Sequence, residues 1–352
     1  MKQMLEELHD LMKGINRPLK LMEVCGTHTV EIFRHGIRDV IPKSITLLSG
    51  PGCPVCVTSV RDVDAAISIA ENPRVILTTF GDMMRVPGGS KSLLDARSEG
   101  ADVRVLYSPL DALVIAQKEP GKEVVFFGTG FETTSPLLAA SIAHAQQAGI
   151  RNISVYAAFK LVPPALKALL DSADVQVDGF ILPGHVSTII GSRPYEFVAS
   201  QYKIPSVITG FEAAEIIEGI LMIVRQIAQK RAAVEIQYRT VVREEGNPRA
   251  VALLEKYFEP AETYWRGIGA IPGSGLKLRE QYSAFDAYAK FKPPLSDGAE
   301  PELCSCGDIL RGVKIPTECA LFGTGCTPES PVGPCMVSTE GSCAAYYKYG
   351  QR

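Results

Sequence analysis

The chain has 352 residues, 46% of them hydrophobic and 21% charged, and its 36 Lys and Arg against 39 Asp and Glu leave a formal net charge of −3. That is an ordinary globular balance, long enough for two or three domains, without the basic footprint of a nucleic-acid-binding protein. No apolar run approaches the ~20 residues of a membrane span, and the longest, around Ile216 to Ile227, is broken by Glu218, Gly219 and Arg225.

In chain order, Glu6 to Met12 predicts a short acidic amphipathic helix rather than a secretory leader, which points to the cytoplasm. Leu19 to Cys25 reads as a strand running into Gly26-Thr-His-Thr29. Ile45 to Leu48 is a second strand, entering Gly50-Pro-Gly-Cys-Pro-Val-Cys56, with a helix from about Val60 to Glu71 behind it. The continuous apolar run Val75 to Phe80 is typical of a strand covered on both faces, and it ends in a glycine-rich loop containing Asp82. Val103 to Tyr107 is a strand and Leu110 to Lys118 a helix.

The pattern then repeats. Val124 to Phe127 leads into Gly128-Thr-Gly-Phe-Glu-Thr-Thr134 and a helix, Ser135 to Ala148. Ile153 to Ala157 is a strand and Pro163 to Ser172 a helix. Gly179 to Leu182 enters Pro183-Gly-His-Val-Ser187, and Ser206 to Thr209 enters Gly210-Phe-Glu212 and a long helix to about Ala232. Gly26-Thr27 matches Gly128-Thr129, Pro51-Gly52-Cys53 matches Pro183-Gly184-His185, and Thr78-Thr79-Phe80 matches Thr209-Gly210-Phe211. The second and third motifs are 29 residues apart in one half (Pro51 to Phe80) and 28 in the other (Pro183 to Phe211). The expected fold is α/β, with two similar parallel-sheet units, residues 1–120 and 121–233, facing a cleft. Every motif falls at the carboxyl end of a strand, where open parallel sheets bind ligands.

Beyond Ala233 the pattern changes. Val234 to Val242 alternates like an exposed strand, Val251 to Phe258 is helical, Trp265 to Ile271 is strand-like, and Lys292 to Gly298 reads as a linker. Residues 234–352 form the third expected domain, closed by a cysteine-rich tail.

That tail holds six of the nine cysteines: Cys304, Cys306, Cys319, Cys326, Cys335 and Cys343. Four thiolates would hold a [4Fe–4S] cluster, leaving two for a thiol–disulfide pair, and the intervening Gly, Pro, Ser and Thr suit a close wrap. Structural zinc and a disulfide-stapled tail are the competing readings, although the spacings lack the paired C-x2-C knuckles of ordinary zinc sites. A cytosolic chain argues against disulfides. Upstream, Cys25 and His28 sit three residues apart at a strand end. Cys53-Pro-Val-Cys56 lies at the end of the next strand, heading for a helix N-terminus expected to lower a thiol pKa, with Pro51 and Pro54 favouring a loop. This group would bind a passing metal or run thiol–disulfide exchange. Asp82, Glu132 and His185 are placed to orient a ligand, while His9, His35 and His144 read as surface residues. Gly128 to Thr134 lacks the Gly-Lys-Ser/Thr of a P-loop and the third glycine of a dinucleotide fingerprint.

Glu23-Val-Cys-Gly-Thr-His-Thr29, Gly50 to Cys56, Thr79-Phe-Gly-Asp-Met-Met-Arg-Val-Pro-Gly88, Gly130-Phe-Glu-Thr-Thr134 and Pro183 to Ser187 resemble the hydrogenase maturation factor HypD family. So does the tail, from Cys304-Ser-Cys-Gly307 through Cys326-Thr-Pro-Glu329 and Gly333 to Ser338 to Tyr346-Tyr-Lys-Tyr-Gly350. The resemblance covers essentially the whole chain. It implies a [4Fe–4S] cluster in the C-terminal part and a role in assembling the Fe(CN)2CO unit of [NiFe]-hydrogenase. The implied partners are a small HypC-type chaperone, a HypE-type cyanide donor and, indirectly, the hydrogenase large subunit, with no nucleic acid and no membrane. By the same resemblance Cys25 holds transient iron with His28 nearby, Cys53 and Cys56 are a redox or ligand pair, and Cys304, Cys319, Cys326 and Cys343 hold the cluster. Cys306 and Cys335 form a redox pair, as in ferredoxin–thioredoxin reductase. A cluster-dependent thiol–disulfide reductase and a zinc-stabilised scaffold are the rival functions.

Overall fold

The computed structural model describes residues 1–296, 298 and 300–350. Of the expected linker, Asp297 lies outside the described residues, as do Gln351 and Arg352 of the third expected domain.

Two parallel sheets form the body. Strands β1 (Leu19–Glu23) and β2 (Ile45–Ser49) belong to the first sheet. Strands β3 (Val75–Thr79), β4 (Val103–Val105), β5 (Glu123–Gly130) and β6 (Ile153–Phe159) make the second, in the order β4-β3-β5-β6. The chain then returns to the first sheet with β7 (Gly179–Leu182), β8 (Ser206–Ile208) and β9 (Val234–Ile236), giving the order β2-β1-β7-β8-β9. Both β3 and β7 are buried along their whole length, the Thr78 and Thr79 hydroxyls of β3 donating to Val125 O and Phe127 O of β5. In each sheet the strand order reverses at one place, beside β1 in the first and beside β3 in the second. The crevices between β1 and β7, and between β3 and β5, are therefore the switch points where such sheets bind ligands.

The α/β architecture with two parallel-sheet units is thus as expected, but the second unit is inserted whole between β2 and β7 of the first. The expected boundary at residue 120 falls between β4 and β5, which flank β3 in one sheet. The segment 121–233 contributes β5 and β6 to one sheet and β7 and β8 to the other. Pro51 and Pro183 follow β2 and β7, the two neighbours of β1, so they are not equivalent points of two copies. The matched motifs record local chemistry, a parallel strand opening through Gly and Pro onto a helix. Strand pairing is set by long-range packing, which local chemistry does not encode.

The region after Ala233 also departs from expectation. Only Val234–Ile236 is a strand, and it is a half-buried fifth member of the first sheet rather than an exposed ribbon. Trp265 to Ile271, read as one strand, is instead the turn of an antiparallel hairpin, β10 (Phe258–Trp265) and β11 (Gly269–Leu278). The hairpin packs against the second sheet. A bridge joins Lys160 to Gly275, and the buried Trp265 indole donates to Ser274 Oγ at 2.8 Å. Among the described residues no helix is long and apolar enough to cross a membrane.

Candidate metal centre

Cys25 sits in extended conformation at the N-cap of the helix Gly26–Arg34, directly beyond β1. The segment Gly26 to Thr29, read from sequence as a loop, is therefore the first helical turn. Its β-branched residues and leading glycine hid the helix. Burial pushes the Cys25 thiol up to about 12, although the backbone N–H groups of His28 and Thr27 bond to it; the charges of Glu340 and Glu23 push the same way as burial. Glu23 is itself buried and accepts from Cys25 N–H (3.1 Å) and Thr29 Oγ1. Burial raises it to about 7, against those hydrogen bonds.

His28 is fully buried. Its Nε2 donates to Gly210 O at 2.9 Å and lies 2.9 Å from Thr209 Oγ1, both just past β8. Burial lowers it to about 4, so the ring is neutral at physiological pH. With Nε2 committed, Nδ1 is left buried and without a partner among the described residues. The ring stacks on Phe211 at 4.7 Å, and Phe211 also stacks on the exposed His185 at 4.0 Å. Of the remaining sequence candidates, Asp82 accepts from Ser338 Oγ at 3.1 Å, and Glu132 is buried with Oε1 accepting from Val162 N–H at 3.0 Å. His9, His35 and His144 are exposed, His35 pairing with Glu31.

Gly52 brings the two upstream motifs together. A Cβ there would fall 2.1 Å from Cys25 N, and Gly52 O accepts from Gly26 N–H at 2.9 Å. Only glycine lets the two loops approach this closely. The C-x-x-C is not a loop, as its prolines suggested, but the one-turn helix Pro54–Val57, with proline at its first position, where no N–H is needed. Cys53 caps it, its sulfur accepting from Cys56 N–H at 3.2 Å. The expected lowering of a thiol by this helix is not found at Cys56. Full burial pushes it well up, and one turn of helix is too short to compensate.

The tail completes the centre. Cys306 and Cys335 sulfurs are 2.8 Å apart, and Cys56 Sγ lies 3.9 Å from Pro334 O, so the C-x-x-C helix abuts this pair. Contact with Cys306 lowers the Cys335 thiol, but Cys343, Cys56 and burial push it well up overall. All nine cysteines are free of disulfides. With Cys306 and Cys335 facing each other, Cys304, Cys319, Cys326 and Cys343 remain, all packed with them in one apolar cluster. Burial raises the Cys326 thiol, Cys343 and Cys304 adding to it, and its sulfur accepts from Val332 N–H at 3.3 Å. Cys304 Sγ lies against Gly333, where a Cβ would come within 2.6 Å. Free thiols, backbone N–H groups aimed at sulfur and a glycine cradle fit the chemistry of an iron–sulfur group. Among the described residues no three His, Cys, Asp or Glu side chains are set to hold a single metal ion.

The tail also closes over Cys25. Thr27 Oγ1 donates to Glu340 Oε1 at 2.8 Å, Gly26 lies directly against the Glu340 backbone, and Arg85 donates to Val337 O at 3.3 Å. Sequence reasoning missed Glu23 and Glu340 as site residues. Glu23, two residues before Cys25, was legible as part of its motif; Glu340 carried no local signal.

Comparison with known proteins gives a consistent neighbourhood. The family model HypD, described as the hydrogenase formation hypA family, matches residues 1–350. The chain is 50% identical over 343 residues to hydrogenase expression/formation protein HupD of Azotobacter chroococcum, covering 96% of this chain and 90% of that protein. It is 48% identical to hydrogenase maturation factor HypD of Rhodobacter capsulatus, covering 95% and 90% respectively. Against HypD of Escherichia coli the identity is 42%, covering 99% and 95%.

Proposed function

This chain belongs to the HypD family of hydrogenase maturation factors, and on that premise we propose that it is an iron–sulfur scaffold on which the Fe(CN)2CO unit of [NiFe]-hydrogenase is assembled. In this reading a HypC-type partner completes the iron site and a HypE-type partner delivers cyanide. The observation that carries it is the meeting of two thiol groups remote in sequence. Cys56 abuts Pro334 and Cys335, while Cys53, its neighbour, follows the Gly52 contact with Cys25.

Cys25 is the anchor for incoming iron. A thiol held at about 12 stays protonated and unreactive until a metal displaces its proton, which suits a site that waits for cargo. His28, neutral and with Nδ1 unpartnered, is positioned by Gly210, Thr209 and Phe211. Cys304, Cys319, Cys326 and Cys343 would hold the resident cluster, which supplies one-electron chemistry when bound. Cys306 and Cys335, at 2.8 Å, are placed to exchange a disulfide bond for two thiols, and Cys56 is their route to the upstream site.

The test is infrared spectroscopy of the complex with the small partner. Cyanide and CO bands are expected on the parent complex and absent with Cys25→Ala. Full bands in that variant would sink the iron-site assignment. The close Cys306–Cys335 pair also favours a thiol–disulfide reductase. That reading predicts turnover of a disulfide substrate, undiminished by His28→Ala.

A further inference from the structure

The hairpin turn between β10 and β11 carries Arg266, which is 1% exposed. Its backbone N–H donates to Val57 O at 2.9 Å, stitching the turn to the C-x-x-C helix. On the other side the next residue, Gly267, meets Gly307, where a Cβ on Gly267 would come within 2.3 Å of Gly307 Cα. Arg266 is thereby wedged between the Cys53–Cys56 helix and the Cys304–Cys306 segment. Its side chain donates from Nε to Glu300 Oε2 at 2.8 Å and from Nη1 to Pro87 O at 3.1 Å. Nη2 is buried with no partner among the described residues.

A sealed guanidinium with idle N–H groups calls for more negative charge than it has. Glu300 is its one anionic partner among the described residues, and the 37% exposure of that side chain lets water share its charge. Thiols flank this turn on both sides, Cys56 beside the Val57 that accepts from Arg266 N–H and Cys306 beside the Gly307 that Gly267 meets. Cys304 follows Glu300 by four residues, its N–H bonded to Pro301 O at 2.9 Å. Gly307, which Gly267 meets, directly follows Cys306, so the turn carrying Arg266 lies against the segment that bears both Cys304 and Cys306.

We propose that Arg266 is a positioning residue for the cysteine-held cluster, a buried cation that offsets the negative charge of the thiolate-ligated group and favours its reduced state. The inference rests on the cluster reading given above. Its physical basis is that net charge and burial set the potential of an iron–sulfur group, and an added electron is stabilised by a fixed cation in a low-dielectric site.

The experiment is an electron paramagnetic resonance redox titration. It uses the full chain with its small partner, reconstituted anaerobically with ferrous iron and sulfide. Arg266→Gln is expected to disfavour the reduced state about tenfold, a midpoint ~59 mV lower for a one-electron couple. Arg266→Lys, which keeps the charge, stays near the parent. Glu300→Gln, which removes the anion sharing that charge, shifts the midpoint upward. A purely structural role for Arg266 does not produce opposite signs. Coincident midpoints, or shifts of the same sign in Arg266→Gln and Glu300→Gln, overturn the inference while leaving the cluster reading intact. A parent protein that takes up no cluster overturns both. Should Arg266→Gln fail to fold, the upward shift in Glu300→Gln, at a part-exposed position, carries the test.

Discussion

One of the two Glu132 carboxyl oxygens has a partner, the Val162 N–H, and the other is buried with none among the described residues. Burial raises its pKa from 4.5 to about 7, so the folded chain keeps a proton that the unfolded chain releases above 4.5. The native state then binds more protons than the unfolded one between those values, and stability falls as pH rises from 4.5 to about 7. Glu23 acts in the same sense. His28 acts in the opposite one: with its pKa pushed from 6.5 to about 4, it costs stability as pH falls through that interval. Replacing Glu132 by Gln removes one titration. The variant should gain on the parent by roughly 3 kcal/mol between pH ~4.5 and ~7.5, read from urea unfolding at the two pH values. An unchanged difference between them would show that Glu132 does not hold a proton in the fold. At this scale the thiols and His28 were legible because their chemistry belongs to the residue type. Glu340 and Arg266 were not, because their importance lies in what reaches them from distant parts of the chain.

The helices and strands of the α/β body were mostly legible, since apolar runs of strand length and Gly-Pro punctuation mark them directly. The hairpin β10–β11 was missed because its strands alternate weakly and Pro260 and Pro272 interrupt both. The helix after Cys25 was missed because its stability comes from docking. Tyr346, on the tail helix Ser342–Tyr349, meets Phe33 of the helix Gly26–Arg34 edge-on at 4.5 Å. The Arg38 guanidinium lies 4.6 Å from the Phe33 ring and 5.3 Å from that of Tyr346. Aromatic and cation–π contacts of this kind add to simple burial. Tyr346→Ala should therefore weaken the docking of these two helices by about 2 kcal/mol, seen as faster amide hydrogen exchange in both. The β3–β6 sheet should keep its protection; uniform acceleration across the chain would contradict a local latch.

The whole molecule is threaded so that the second sheet, β3 to β6, is inserted into the first, whose strands come from both sides of it. Residues 1–120 contain β1 and β2 without β7, and β3 and β4 without β5. Each orphaned pair leaves unpaired backbone and an uncovered apolar face. A fragment of residues 1–120 is expected to stay unfolded by circular dichroism, and the full chain to unfold in one calorimetric transition. A folded fragment would show that the missing strands are incidental. The same threading bears on timing. Glu340, which packs on Gly26 and bonds Thr27, leaves the ribosome roughly three hundred residues after Cys25 does. During translation the amino-terminal half of the centre therefore waits with its thiols open. Any factor guarding Cys25 against premature metal or oxidation must act on the nascent chain.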